Sequence, residues 1–220
     1  MTDKYGPQAE GWSERSYGDA RKYLLHRAGL IAVGLSEGAT VLDLACGDGG
    51  LGEMLVARGL RYVGVDTSAE MVEAARRRLG SDAVVVQDDL NEFAPAEPVD
   101  ATTVFRAVYY ARDHDAFFRR VASYTRRKFV FDLNPRQYEV ADMTRRLRAA
   151  GFERVERRPF FFPQRFGMPF PLDRLARAAE RSGPLARVAL RYRFTYVVSA
   201  ASACKMSLSA SDMQKLSGSA

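Results

Sequence analysis

Three acidic side chains stand at the ends of three predicted strands in the first half of the chain. Asp43, Asp66 and Asp89 each follow a short apolar or β-branched run. The carboxyl ends of parallel strands meet at one edge of a sheet, which is where open α/β sheets bind ligands. A carboxylate there can attract a cation or accept hydrogen bonds from a ribose or an adenine amine. The pattern indicates a site for a cationic, nucleoside-like ligand.

A glycine-rich turn follows the first of these strands. Gly47 and Gly49 let the backbone turn sharply and approach a ligand without a Cβ in the way. Residues 51–57 then read as a helix, whose first N–H groups have no partner within the helix and point toward the same place. The turn therefore predicts a cradle for something adenosine-like.

Two classes of ligand compete for this turn. Residues 47–52 fit G-x-G-x-x-G, and Asp66 follows Gly47 by 19 residues, so the dinucleotide fingerprint is met formally. However, Asp43 would crowd a pyrophosphate, and Asp48 adds negative charge between the two glycines. Both acids suit a ligand that carries an ammonium and a sulfonium. The charge pattern favours the cationic ligand, and a nucleotide-binding oxidoreductase or a non-catalytic binding module is the alternative.

Strands and helices alternate along the chain, as in a parallel α/β sheet. Thr67 and Glu70 have the spacing of a capping box that would begin a helix over residues 71–79. A helix is predicted over 173–182, with Gly183 and Pro184 ending it. The other predicted helices cover 114–124 and 140–150, and the later strands cover 100–105, 128–133, 152–162 and 191–198.

The segments VLDLACGDG (41–49), VGVDTSAEMVEAAR (63–76) and VVVQDDL (84–90) resemble the cofactor half of class I S-adenosylmethionine (SAM)-dependent methyltransferases. The resemblance implies a doubly wound, seven-stranded, mostly parallel α/β sheet with an antiparallel last strand and helices on both faces. It implies one domain over residues 1–200. Within it, residues 1–36 would form a helical lid, and 163–188 would be an insertion before the last strand.

The same resemblance implies which residues hold SAM. Asp43, Ala45 and Gly47 would line its methionine end, Asp66 its ribose, and Met71 the side of its adenine, while Asp89 and Leu90 would meet the adenine amino edge. Asp48, Gly49 and Thr67 complete the predicted cofactor set.

The second half of the chain is basic, and there we expect the methyl acceptor. Residues 1–100 carry 10 basic and 17 acidic side chains, whereas residues 101–200 carry 21 and 9. Arg106 and Arg136 would clamp an anionic small molecule, Tyr109 and Tyr110 would shape its pocket, and His114 is the candidate general base. The arginines could instead simply cover solvent-exposed helix faces. A protein or RNA methyltransferase is the alternative within the class.

Several classes of protein are disfavoured. Two cysteines form neither a disulfide framework nor a metal site, and the first residues lack the apolar core of a secretory signal, so a cytoplasmic location is expected. No apolar stretch is long enough to span a membrane. Nucleic-acid binding is unlikely because no aromatic-interleaved basic ribbon occurs. Residues 201–220 are serine-rich and expected to be a disordered tail, and the oligomeric state is left open.

Overall fold

Seven strands form one sheet in the computed structural model, which describes residues 9–161, 167–189 and 195–202. The strand order is β3-β2-β1-β4-β5-β7-β6. The strands are β1 (Thr40–Leu44), β2 (Arg61–Asp66), β3 (Ala83–Gln87), β4 (Val99–Val104), β5 (Thr125–Leu133), β6 (Phe152–Pro159) and β7 (Tyr196–Ser202). The helices are α1 (Trp12–Ser16), α2 (Ala20–Ala32), α3 (Gly50–Val56), α4 (Ala69–Leu79), α5 (His114–Tyr124), α6 (Val140–Ala149), α7 (Leu172–Arg181) and α8 (Gly183–Ala189).

The direction of the strands confirms the predicted fold class. β1 pairs in parallel with β2 and β4, β2 with β3, and β4 with β5. β7 lies between β5 and β6 and is antiparallel to both. The chain builds the sheet outward from β1 in one direction and then returns to build it outward from β4. The switch point between β1 and β4 is where such sheets bind ligands.

Helices cover both faces of the sheet, as predicted. Neighbouring side chains on a strand point to opposite faces, and on β5 Phe129 and Phe131 pack on one face whereas Val130 packs on the other. The first face contacts α5 and α6 through an aromatic cluster that includes Phe117 and Phe118. The second face contacts α2, α3 and α4.

The start of α4 differs from the prediction. The residue that caps the helix is Ser68, whose Oγ accepts a hydrogen bond from the Met71 backbone N–H at 3.3 Å. Thr67 lies one residue earlier, so the predicted capping box is wrong by one position. The Ser68 hydroxyl also contacts Glu70, at 3.1 Å.

The region between β6 and β7 also differs. α7 ends at Arg181, close to the predicted end, but Gly183 and Pro184 then begin a further helix, α8, because proline is well tolerated in the first turn of a helix. β6 ends at Pro159 rather than at residue 162, and β7 extends beyond the predicted residue 198 because it pairs along β5 as far as Ala201. Residues 201–202 therefore belong to β7 rather than to the predicted tail. Residues 1–8 of the predicted lid, 162–166 of the predicted sixth strand and insertion, 191–194 of the predicted last strand and 203–220 of the predicted tail lie outside the described part of the chain.

Candidate active site

Two residues with strained backbones mark the centre of the sheet's carboxyl edge. Ala45 has φ 61° and Arg106 has φ 56°, and among the described residues they are the only non-glycine positions in the left-handed region. Ala45 directly follows β1, and Arg106 follows β4 after one intervening residue. Such strain costs about 1–3 kcal/mol and concentrates at functional sites. It therefore places the candidate site at the switch point between the two strands.

The glycine-rich turn beside Ala45 is fastened to the end of β2. Gly47 (φ 59°) and Gly49 (φ 77°) both adopt left-handed backbone conformations. The Gly47 N–H donates to Asp66 Oδ2 at 2.9 Å, and the Ser68 N–H donates to Asp66 Oδ1 at 3.0 Å. Each carboxylate oxygen has a second lone pair, so Asp66 can accept further hydrogen bonds while it holds the turn.

Asp43 lies buried at the end of β1. It accepts a hydrogen bond from the Tyr62 hydroxyl at 2.7 Å. Burial raises the pKa of Asp43 to about 7; the hydrogen bond from Tyr62 opposes that increase, and the nearby charge of Asp66 adds to it. The carboxyl group therefore changes its charge near neutral pH. Tyr62 was not singled out from the sequence, where it reads as an ordinary strand residue.

Asp48 has partners inside the protein. Its carboxylate accepts hydrogen bonds from both the backbone N–H and the hydroxyl of Ser13, and it forms an ion pair with Arg78 at 2.9 Å. Asp48 is also buried. It therefore fixes α1 over the glycine-rich turn, and its predicted contact with the cofactor stays a prediction.

Residues near α1 cover the predicted adenine side of the site. A Cβ placed on Gly47 would lie 3.7 Å from Trp12 Cδ1. Met71, predicted to pack beside the adenine, lies in a small cluster with Ala9, Ala74 and Trp12. The segment from residue 9 to 16 thus lies where a lid would lie, and the assignment of residues 1–36 as a lid stays a prediction.

The third predicted strand-end acid is well ordered by its neighbours. Asp89 Oδ1 accepts hydrogen bonds from the backbone N–H and the side-chain amide of Asn91, both at 2.8 Å, and Asp89 pairs with Arg112. Partial burial would raise the pKa of Asp89, but the hydrogen bonds from Asn91 and the charge of Arg112 outweigh it and hold that pKa below its usual value. Leu90 beside it is buried, and the Thr67 carbonyl accepts a hydrogen bond from Gln87.

A buried ion pair that sequence reasoning missed holds the end of β4. The Arg27 side chain of α2 is only 2% exposed, pairs with Asp132 at 2.9 Å, and donates to the Tyr23 hydroxyl at 2.6 Å. Asp132 also accepts a hydrogen bond from the Arg106 backbone N–H at 2.7 Å. The guanidinium of Arg27 lies 4.2 Å from the centre of the Phe105 ring. The only sequence signal is the spacing of Tyr23 and Arg27 on one helix face, which many exposed arginines share.

The Arg106 side chain faces α1 and the residue after it. Its guanidinium carbon lies 5.9 Å from the centre of the Trp12 ring and 5.7 Å from that of Tyr17, within the range of cation–π attraction. Arg106 therefore lies between the glycine-rich turn and the ends of β4 and β5.

The other predicted acceptor residues lie around the ends of β4 and β5. Tyr109 and Tyr110 are half-exposed, and their ring centres lie 4.3 Å apart. His114 begins α5 and contacts the ring of Tyr138, at 5.4 Å between centres. Burial and then the positive charge of Arg146 lower the pKa of His114.

The surroundings of His114 and Arg136 do not test their predicted functions. His114 Nε2 is shielded from solvent and has no hydrogen-bond partner within the described ranges. Arg136 is exposed on the turn after β5. Neither the general base nor the second arginine clamp is tested by this arrangement, and both stay predictions.

The described part of the chain contains neither a metal-binding cluster nor a membrane-spanning helix. Among residues 9–161, 167–189 and 195–202, no group of three or more histidine, cysteine or acidic side chains could hold a metal ion. No helix in the same part of the chain is long and apolar enough to cross a membrane.

Part of the chain is similar to known methyltransferases. Residues 41–128 match the family described as "Methyltransferase domain". A trans-aconitate 2-methyltransferase of Azoarcus sp. (strain BH72) is 37% identical over 113 residues, which are 50% of this chain and 44% of that protein. The chain thus spans less than half the length of this curated relative.

Two solved structures share the fold. A methyltransferase solved in complex with the Haloferax volcanii Trm112 activator has a TM-score of 0.64 and 22% identity, and the match covers 91% of this chain and 95% of that one. The SAM-bound magnesium protoporphyrin IX methyltransferase of Synechocystis has a TM-score of 0.58 and 18% identity, covering 83% and 79%. The methyltransferase domain matched over residues 41–128, the strand order and the turn after β1 together support a class I SAM-dependent methyltransferase.

Proposed function

We propose that the protein transfers the methyl group of SAM to an anionic group, most simply a carboxylate, of a small-molecule acceptor. The observation that carries this proposal is the position of Arg106. This cationic side chain follows the strand next to the glycine-rich turn, on a left-handed backbone that Asp132 holds in place. A guanidinium there can bind and orient a carboxylate beside the cofactor.

The residues around the turn fit SAM. Carboxylates end three adjacent strands: Asp43 on β1, Asp66 on β2 and Asp89 just beyond β3. Asp66 would accept hydrogen bonds from the ribose, and ionised Asp43 would attract the positively charged end of the cofactor. The left-handed glycines let the backbone approach the ligand closely.

The main task of the protein is to align the acceptor with the methyl group of SAM. When bound, SAM supplies an electrophilic methyl group, whose transfer to a carboxylate oxygen leaves a neutral sulfur and needs no proton transfer. Arg106 would hold the acceptor oxygen in line, and Trp12 and Tyr17 beside it would exclude water. A carboxylate acceptor therefore requires no general base, which agrees with the shielded Nε2 atom of His114.

The relatives support an acid as acceptor, although they match only about half of this chain. The acceptor in the name of several of them, trans-aconitate, is a small carboxylate. The excess of basic residues over residues 101–200 would steer such an anion toward the site.

The test begins with binding of SAM, S-adenosylhomocysteine and NAD, of which we expect only the first two to bind. Labelled SAM is then offered with small carboxylic acids and with their neutral amides. Arg106→Ala should raise the KM for the acid about fivefold, the effect of about 1 kcal/mol, and leave SAM affinity unchanged. Arg119→Ala, an exposed arginine of α5, is the matched control.

Three results would contradict the proposal. Methylation of the amides as efficient as that of the acids would remove the anion preference. Equal loss of SAM and acceptor binding in Arg106→Ala would place that residue on the cofactor side. Label that enters RNA or protein from a cell extract, but no small acid, would favour a macromolecular acceptor.

A further inference from the structure

A cavity lies on the opposite side of β5 from the candidate active site. It has a volume of about 480 Å³ and lies between the edge strand β6 and the helices α7 and α8. Four arginines line it, two from β6 and two from the helices: Arg157, Arg158, Arg181 and Arg187. We name it the arginine cavity.

The positive charge of the arginine cavity is poorly compensated. Arg158 approaches Glu156 only to 3.7 Å, and that carboxylate also pairs with Arg154. Arg187 donates to the Gly183 carbonyl of its own helix. Within the described residues, Arg157 and Arg181 form no ion pair with a carboxylate.

The one acid in the cavity wall is already engaged elsewhere. Glu180 Oε2 lies 2.7 Å from His26 Nε2, and its Oε1 accepts a hydrogen bond from the Phe161 N–H at 2.7 Å. The carboxylate is buried between α7 and α2. Its single negative charge therefore offsets only part of the charge of the four arginines.

Two arginines elsewhere in the protein have more acidic partners. Arg78 pairs with Glu14, Glu53 and Asp48, and Arg146 pairs with two aspartates. Burial lowers the pKa of Lys128 to about 8, and the positive charge of the nearby Arg158 contributes to that decrease.

We propose that the arginine cavity binds a phosphate ester. A phosphate monoester carries nearly two negative charges and three acceptor oxygens, which match several guanidinium groups better than a single carboxylate does. The volume exceeds what a bare phosphate needs and suits a phosphate with an organic group attached. β6 lies three strands from β4, roughly 14 Å away at the usual strand spacing, so this site is separate from that of methyl transfer.

The phosphate ester could come from a soluble metabolite or from a lipid headgroup. Large apolar side chains are exposed on the same two helices and just before them, namely Phe170, Leu172, Leu175, Leu185 and Val188. α7 even buries its acids Asp173 and Glu180 while it exposes its two leucines. Exposed apolar side chains beside arginines would also suit the surface of an anionic lipid layer.

The test uses the full chain and two probes. Binding of glycerol 3-phosphate, a phosphate monoester, is measured by calorimetry, and vesicle binding by sedimentation with phosphatidic acid against phosphatidylcholine. We expect Arg157→Ala combined with Arg181→Ala to weaken binding roughly 25-fold, about fivefold for each arginine near a phosphate surface. The matched control combines Arg119→Ala with Arg126→Ala, which removes two exposed arginines elsewhere.

The outcomes separate the two sources. Glycerol 3-phosphate binding that is lost only in the cavity variant supports a soluble phosphate ester, and binding to phosphatidic acid vesicles alone, lost in the same variant, supports a lipid headgroup. No binding of either probe, or equal loss in both double variants, overturns the proposal. Because no SAM or acceptor is present, failure here is independent of the proposed methyl transfer.

Discussion

The acidic side chains at the carboxyl ends of the strands are held in place differently in the two halves of the sheet. At the ends of β1 and β2, Asp43 and Asp66 are held by neighbours in the same two βα units, as Asp66 is by Gly47 and Ser68. At the ends of β4 and β5, Asp132 is fixed by Arg27, which lies 105 residues earlier in the chain. These two acids of the cofactor side are thus held by local sequence, whereas the acceptor side depends on a helix from outside the sheet.

We therefore expect substitutions in the two halves to affect different properties of the protein. A change on the local side should affect one ligand and spare the fold. A change in the long-range pair should affect the fold first, because Arg27 and Asp132 are both removed from water and breaking a buried pair leaves an uncompensated charge.

The largest effect is expected for Arg27→Met. It leaves Asp132 without its counter-charge and should lower the free energy of unfolding by about 3–5 kcal/mol, measured by urea denaturation. The double change Arg27→Met with Asp132→Asn should recover part of that loss, since no unpaired charge then remains.

Arg21→Met is the control for this change, because it removes an exposed arginine of the same helix. Loss of stability below 1 kcal/mol for Arg27→Met would show that the second half does not rely on the buried pair, and the contrast between the halves would fail.

A smaller effect, on the binding of SAM alone, is expected for Asp66→Ala. Hydrogen bonds to charged groups contribute about 1.5–3 kcal/mol, so the dissociation constant of SAM should rise roughly 10- to 150-fold. Asp88→Ala, an exposed acid near the end of β3, should leave it unchanged. A folded Asp66→Ala protein with normal SAM affinity would remove Asp66 from the cofactor site.

The smallest effect concerns pH and Asp43. Its pKa is raised to about 7, whereas an unfolded aspartate ionises near 4. Its protonated form therefore stabilises the fold below about pH 4, and that stabilisation is lost as the pH rises through about 7. The charged form attracts a cation, so SAM affinity should rise between pH 6 and 8, by at most about tenfold per pH unit.

Two comparisons check this pH dependence by calorimetry. S-adenosylhomocysteine lacks the sulfonium charge and should show a shallower rise than SAM. Asp43→Asn should show no rise beyond that of the ligands themselves, and an unchanged slope in this variant would exclude Asp43 as the titrating group.

The sequence predicted the elements that short-range patterns determine. The glycine-rich turn and the positions of the three strand-end acids in the first half agree with the predictions, as do the bounds of α5 in the second half. The partners of Asp48 and the burial of Arg27 could not be predicted, since both depend on which distant helix packs over the edge. The start of α8 was missed because Gly183 and Pro184 fit the end of one helix as well as the beginning of another.

The edge strand β6 limits how this protein can associate with other chains. An uncovered strand edge is a template on which another chain can add a strand and begin aggregation. β6 has the sequence FERVERRP, in which Glu153, Arg154, Arg157 and Arg158 are exposed and Pro159 ends the ladder. A second chain would have to bury several of these charges to extend the sheet. Any assembly that buries this side of the molecule should therefore use the helices rather than a continuous sheet.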